Sequence, residues 1–201
     1  MSIELKLSPT SNASLVSLRQ LLTQLVSPSD SEISYISQLF REKSLQAGEH
    51  FLKAGEYATE LGFVNSGLLR FYYATSDGKE VNKSFILENQ FASGYNAFLS
   101  QTPMRFSIQA LEDTQLVVCD LQAVVDLFDE YRCVERLCRL LVEQLYIKKE
   151  QREAEFLLDD AETRYKNFLA RFPDLENRIT QYHVASYLGI TPVMLSRIRR
   201  R

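Results

Sequence analysis

The sequence predicts an α+β protein in which helical segments flank a group of antiparallel strands. Three observations support this class. Apolar residues recur at three- and four-residue steps from Ser14 to about Arg41 and again from about residue 129 onward, which is helical spacing. Between these segments, short runs rich in Phe, Tyr, Val, Leu and Ile are punctuated by glycines, as is typical of strands. We therefore expect N-terminal helices, an antiparallel sandwich or barrel, a long helix and a small helical C-terminal domain.

Turn residues define the first elements. A turn at residues 27–30 separates two N-terminal helices, and either Ser29 or Ser31 can cap the second one. In the strand region, Asp77 and Gly78 lie between LLRFYY and EVNKSF. This dipeptide predicts a tight hairpin, because it tolerates the positive φ that such turns require.

One long helix is expected in the second half of the chain. No Gly or Pro interrupts residues 121–172, which predicts a helix of about 25–30 residues. Since this exceeds the average globular helix, we expect it to form a dimer interface. The alternative is a helix packed on its own chain's sheet.

The composition limits the classes of protein. The 201 residues are 45% hydrophobic and 24% charged, as in ordinary folded chains. No apolar run of about 18 residues and no targeting segment is evident, so we expect a cytoplasmic protein with no membrane partner. Three cysteines without a CxxC pair and two histidines favour neither a disulfide framework nor a metal site. We also expect no iron–sulfur cluster and no haem.

Charge is distributed unevenly along the chain. Residues 1–159 carry 15 Lys and Arg against 22 Asp and Glu, a net charge of −7, whereas residues 160–201 carry 8 against 4, a net charge of +4. A basic C-terminal segment on an acidic body indicates contact with a polyanion there. A solvated basic helix is the alternative.

The C-terminal stretch ITQYHVASYLGITPVMLSRIRRR has the spacing of a helix-turn-helix. Thr180 precedes the first apolar series, and Gly189 supplies a sharp turn after it. Thr191 and Pro192 then suit the cap and first position of a second helix. The close crossing falls at Ala185, and the locking apolar residue is Leu195. Such a pair places its second helix in a DNA major groove; an ordinary helical hairpin is the alternative.

Several separated segments together resemble the Crp/Fnr family of transcription regulators. They are LQAGEHFLKAGE, FVNSGLLRFYYATSDGKEV, IQALEDTQLVV, the long helix and ITQYHVASYLGITPVMLSRI, in the family's order. The resemblance implies a cyclic-nucleotide-binding type β-roll, similar to a jelly roll, then a dimerisation helix and a DNA-binding domain. It implies the divisions 1–128, 129–159 and 160–201. It also implies a homodimer on palindromic double-stranded DNA, with RNA polymerase as a further partner.

The effector segment departs from the nucleotide-binding members of this family. Those members use a Glu for the ribose and an Arg for the cyclic phosphate, but FASGYNAFLSQTPMRFSI from Phe91 contains no Glu. Arg105 follows Pro103 by two positions, and with Ser107 it could form an anion site. A surface role for Arg105 is the alternative. Cyclic AMP is therefore not expected, and the effector, whether a small molecule, a nucleotide or none, stays open.

The second helix of the pair also departs from the family. Pro192 and Val193 stand where the best-known activator keeps a base-contacting Arg and Glu, and only Arg197 matches. We expect Arg197 to contact guanine. No β-hairpin wing is evident after this helix, so the terminal arginines are expected to contact phosphates instead. The full set of expected DNA-binding residues is Thr180, Gln181, Thr191, Ser196, Arg197, Arg199, Arg200 and Arg201.

These observations favour a homodimeric, sequence-specific DNA-binding regulator. The alternative is a sensor or protein-interaction module whose helix-turn-helix no longer binds DNA. An enzyme is not expected, because no Ser/His/Asp order, HExxH motif or phosphate-binding loop occurs and no catalytic residues can be proposed.

Overall fold

The computed structural model describes residues 13–200. After a short 3₁₀ turn at Ala13–Leu15, the helices are α1 (Val16–Val26), α2 (Asp30–Gln38), α3 (Tyr95–Ser100), α4 (Leu121–Asp126), α5 (Arg132–Leu158), α6 (Ala161–Arg171), α7 (Leu175–Arg178), α8 (Gln181–Leu188) and α9 (Pro192–Arg199). The strands are β1 (Arg41–Leu45), β2 (His50–Leu52), β3 (Glu60–Ser66), β4 (Leu69–Ala74), β5 (Glu80–Ile86), β6 (Phe91–Ser93), β7 (Ser107–Ala110) and β8 (Thr114–Asp120). The predicted α+β class, with helices flanking antiparallel strands, is confirmed.

The strands form two four-stranded sheets. One has the order β1-β8-β3-β6 and the other the order β2-β7-β4-β5. The pairings of β8 with β1 and β3 are antiparallel, as is that of β2 with β7. Large apolar side chains, including Leu69, Phe71, Phe106 and Ile108, fill the space that the strands enclose, and the rings of Phe71 and Phe106 stack with their centroids 5.4 Å apart. The interior is therefore a packed apolar core.

The predicted turns are present. Ser29 is the cap of α2, because its Oγ accepts the Glu32 N–H while the Glu32 carboxylate accepts the Ser29 N–H at 2.7 Å. The alternative cap, Ser31, lies inside the helix. Gly78 lies in the turn of the β4–β5 hairpin with φ of +80°, the positive φ that the Asp-Gly pair predicts there.

The chain divides into two compact units. Among the described residues, the first unit contains 13–71 and 85–139, and the second contains 72–84 and 140–200. The second unit therefore includes the outer part of the β4–β5 hairpin as well as the C-terminal helices. The division at residues 128 and 159 stays a prediction. Helix α5 has 27 residues, about 40 Å at 1.5 Å per residue, and no helix in residues 13–200 is long and apolar enough to cross a membrane.

Candidate nucleic-acid interface

Helices α8 and α9 are joined by the turn that the sequence predicted. Gly189 ends α8 with φ of +69°, and the Ile190 N–H donates to the Ala185 carbonyl at 3.0 Å. The Thr191 Oγ1 accepts the Met194 N–H at 3.2 Å, and Pro192 takes the first helical position. Thr180 occupies the cap position of α8, but its side chain makes no capping hydrogen bond. Three of these four predicted local roles are thus borne out in full.

The crossing of the two helices is tightly packed. Ala185 of α8 and Leu195 of α9 are both buried, together with Val184 and Leu188. Gly189 is constrained twice: besides its positive φ, a Cβ on it would lie 2.9 Å from a ring carbon of Phe156 in α5. Any larger residue at this turn would therefore meet both backbone strain and a steric clash.

Two arginines hold the C-terminal end of α8. Arg152 of α5 donates to the Tyr187 carbonyl at 2.7 Å, and its guanidinium lies 3.7 Å from the centroid of the Tyr187 ring. Arg164 of α6 donates to the Leu188 carbonyl at 3.2 Å and to the Asp159 carbonyl at 2.7 Å. Cations at the C-terminus of a helix are favourable because the last carbonyls carry partial negative charge. Burial lowers the pKa of Arg152, and interactions with Tyr187 offset part of that effect.

A third arginine lies in the same cluster. Arg171 forms an ion pair with Glu155, and both side chains are largely buried. It also donates to the Tyr187 hydroxyl at 2.9 Å. The Tyr187 ring packs against Phe168 and Phe172 of the α6 segment. We call Arg152, Arg164, Arg171, Glu155 and Tyr187 the anchor cluster; nothing in the apolar periodicity indicated it.

The β4–β5 hairpin contacts α8 from another direction. The buried Asn82 donates from its side chain to the His183 carbonyl at 3.0 Å and lies 3.1 Å from His183 Nδ1. Its backbone N–H donates to Ser186 Oγ at 3.0 Å, and Ser186 in turn donates to the Glu80 carbonyl. Strand β5 and helix α8 are therefore joined by partly buried hydrogen bonds within the second unit.

The opposite side of α9 faces away from this packing. Successive residues of a helix are about 100° apart, so Val193 and Arg197 lie about 160° to either side of the buried Leu195, and Arg200 lies about 140° from it. All three are exposed. Arg199 is only about 40° from Leu195, and it forms an ion pair with Glu176 of α7 at 3.6 Å. We call Val193, Arg197 and Arg200 the outer face of α9.

The expected DNA-binding residues fall into three groups. Arg197 and Arg200 lie on the outer face, while Thr180, Gln181 and Thr191 are exposed at the beginnings of α8 and α9. Ser196 is half-buried and Arg199 is engaged with Glu176. Arg201 lies outside the described residues. The apolar Tyr182, Val193 and Met194 are exposed beside them, and of these only Val193 was singled out from the sequence.

The structure does not bring together the two residues expected to bind an effector. Arg105 is exposed, whereas Ser107 is buried and its Oγ accepts the Ala54 N–H at 3.0 Å. A pocket of about 230 Å³ lies on the first unit, between residues 57–59, α3 and the start of α4. Neither Arg105 nor Ser107 lines it. With no carboxylate in residues 91–107 for a ribose hydroxyl, these residues do not fit a cyclic nucleotide.

The cysteine side chains are not activated. Burial raises the pKa of Cys138 to about 11, and burial together with the hydrogen bond to Glu32 raises that of Cys133 to about 11. Burial also raises the pKa of Cys119 above its usual value. Thiols with raised pKa values are poor nucleophiles and poor metal ligands at neutral pH. In residues 13–200, no group of three or more His, Cys, Asp or Glu side chains is placed to hold a metal ion.

Comparisons with known proteins agree with this arrangement. Residues 42–131 match the family model of the cyclic nucleotide-binding domain. The fumarate and nitrate reduction regulatory protein of Vibrio cholerae is 27% identical over 198 residues, which cover 90% of this chain and 77% of that protein. The structure of FixK2 from Bradyrhizobium japonicum matches with a TM-score of 0.70 and 20% identity, covering 80% of this chain and 83% of that one. A regulator of the Crp/Fnr family from Eubacterium rectale matches with a TM-score of 0.69 and 17% identity, covering 86% and 82%. In sequence and fold the chain is therefore similar to transcription regulators of the Crp/Fnr family.

Proposed function

We propose that this chain is a homodimeric transcription regulator that binds a specific double-stranded DNA sequence through α8 and α9. The observation that carries the proposal is the contrast between the two sides of α9. Leu195 is buried against α8 while Arg197 and Arg200 face outward. A helix held in this way can enter the major groove with its outer side chains at base edges and phosphates.

The electrostatics favour the same ligand. Residues 160–201 carry a net charge of +4, and Arg197 and Arg200 are both exposed on one side of α9. Arg197 can donate two hydrogen bonds to guanine O6 and N7, which is the commonest specific contact in the major groove. We propose that Arg200, at the C-terminal end of the helix, contacts a phosphate.

Helix α5 supports dimer formation. Val142, Leu145 and Tyr146 are exposed apolar residues at steps of three and four, the spacing of a helix–helix interface. Two copies joined along this face would present two α9 helices related by a twofold axis, which suits a palindromic site.

The effector, if there is one, is proposed to be something other than cyclic AMP. The exposed Arg105, the engaged Ser107 and the missing carboxylate support this proposal. A small molecule in the 230 Å³ pocket, or no ligand at all, is consistent with the geometry.

Selection of DNA from a random pool tests the function. The purified full chain is expected to enrich one palindromic sequence, and gel shifts should show it binding that sequence at least tenfold more tightly than bulk DNA. If no sequence competes better than bulk DNA by tenfold, about 1.4 kcal/mol, specific regulation is wrong. That outcome would favour the alternative of an interaction module.

Sedimentation tests the dimer. Leu145→Glu places a charge on the proposed interface and is expected to yield monomers. Ile147→Glu is the matched control, because Ile147 is 46% exposed, like Leu145 at 47%, yet lies about 160° around the helix. A dimer that survives Leu145→Glu, or one that both variants disrupt equally, contradicts this interface.

A further inference from the structure

The first turn of α9 exposes two apolar side chains. Val193 is 64% exposed and Met194 is 44% exposed, whereas Leu195, the next residue, is 0% exposed. Val193 lies only about 40° from Arg197 around the helix, one turn earlier. It therefore belongs to the same outer face as the arginine that is expected to contact guanine.

Valine restricts what this position can recognise. Its side chain has no hydrogen-bond donor or acceptor, and Pro192 before it has no backbone N–H. In the major groove, base pairs present donors, acceptors and one apolar group, the C5 methyl of thymine. A valine packed against a donor or acceptor of a base would displace a water molecule and leave that base group without a hydrogen bond, which is unfavourable. Against a thymine methyl it would bury two apolar surfaces together.

Helix geometry places this contact close to that of Arg197. Four residues advance the helix axis by about 6 Å, and stacked bases along a strand are about 3.4 Å apart. We propose that Val193 recognises the C5 methyl of a thymine lying within about two base pairs of the guanine that Arg197 contacts. The inference rests on the proposed function, because Val193 meets a base only if α9 enters the major groove.

Replacement of single thymines by deoxyuridine tests the inference, since this change removes the methyl group and nothing else. The full chain is titrated by fluorescence anisotropy against its selected site and against duplexes with one substitution each. We expect one thymine per half-site at which deoxyuridine weakens binding about three- to fivefold, the effect of one buried methyl group. The guanine that Arg197 contacts is identified with Arg197→Ala: it is the position at which this variant no longer distinguishes guanine from the other bases.

Two variants assign the effect to Val193. In Val193→Ala, the thymine and deoxyuridine duplexes should bind with equal affinity. Met194→Ala is the matched control, an exposed apolar residue of the same turn that lies about 100° from Leu195, and it should retain the full difference. Both side chains are exposed, and alanine is a good helix former, so both variants are expected to fold.

The outcomes separate the two proposals. If the chain prefers no DNA sequence, both the proposed function and this inference are wrong. If it selects a site but tolerates deoxyuridine everywhere, or if Val193→Ala retains the full sensitivity, this inference alone is overturned. Loss of sensitivity in Val193→Ala but not in Met194→Ala supports it.

Discussion

Five arginines of the C-terminal unit fall into two groups with opposite surroundings. Arg152, Arg164 and Arg171 lie in the anchor cluster, where helix carbonyls, Glu155 and the rings of Tyr187 and Phe156 engage their guanidinium groups. Arg197 and Arg200, on the outer face of α9, are exposed. The inner arginines donate to carbonyl, carboxylate and hydroxyl groups of the protein, whereas the exposed outer arginines can donate to a ligand.

Net charge alone therefore does not identify the residues that would contact DNA. A net charge of +4 in residues 160–201 includes Arg164 and Arg171, which hold the helices together. Arg199 stands between the groups, since it belongs to α9 but is paired with Glu176. The inner arginines should therefore control stability and the outer ones recognition.

The largest expected effect is that of Arg171→Ala. This change leaves the largely buried Glu155 carboxylate without its guanidinium partner and removes the donor to the Tyr187 hydroxyl. We expect the free energy of unfolding of the C-terminal unit to fall by about 3 kcal/mol, because breaking a buried ion pair strands the remaining charge. Chemical denaturation followed by circular dichroism measures it.

Arg200→Ala is the control for that experiment. Its side chain is exposed, so its stability should change by less than about 0.5 kcal/mol. Equal stability losses in the two variants would erase the distinction between inner and outer arginines.

The next effect concerns recognition. Arg197→Ala is expected to reduce discrimination between the selected site and its guanine-substituted variant by about 2 kcal/mol, since a bidentate guanine contact is lost. Arg200→Ala should weaken binding to every DNA sequence by the same factor. It should also reduce the slope of log affinity against log salt concentration by about 1. Competition gel shifts at two salt concentrations distinguish these patterns. A similar loss of specificity in both variants would contradict the separate roles.

A smaller effect is expected at a partly buried cation outside both groups. Lys83 lies in β5 with its Nζ 5.8 Å from the Tyr73 ring centroid. Burial lowers its pKa to about 8, with a further contribution from the charge of Lys149. Because the folded pKa lies below that of the unfolded chain, protonation destabilises the fold, and this penalty disappears as pH rises from about 8 to 10.5.

Lys83→Met should therefore stabilise the protein by about 1 kcal/mol at pH 7. The substitution removes the cost of desolvating the charged amine, and the loss of the contact with the Tyr73 ring offsets part of that gain. Its advantage over the wild type should vanish near pH 10.5, the usual lysine pKa. Denaturation curves at both pH values measure the difference. An advantage that is the same at both would show that burial of the charge is not its cause.

Local chemistry explains which features could be predicted from the sequence. The cap at Ser29, the hairpin at Gly78 and the turn at Gly189 depend on residues that are close in the chain, and their conformational preferences are strong. The contacts of Asn82 with His183, or of Arg152 with Tyr187, join residues 101 and 35 positions apart. Periodicity carries no information on such pairs. The ion pair of Arg199 with Glu176 likewise joins residues far apart in the sequence, so the spacing of residues does not predict it.

The most direct test is a crystal structure of the full chain bound to its selected DNA site. We predict that α9 lies in the major groove, with the Arg197 guanidinium within hydrogen-bond distance of guanine O6 and N7 and with Arg152, Arg164 and Arg171 still in the anchor cluster. A complex in which α9 lies outside the groove, or in which Arg197 contacts only phosphates while an anchor arginine contacts a base, would contradict the account.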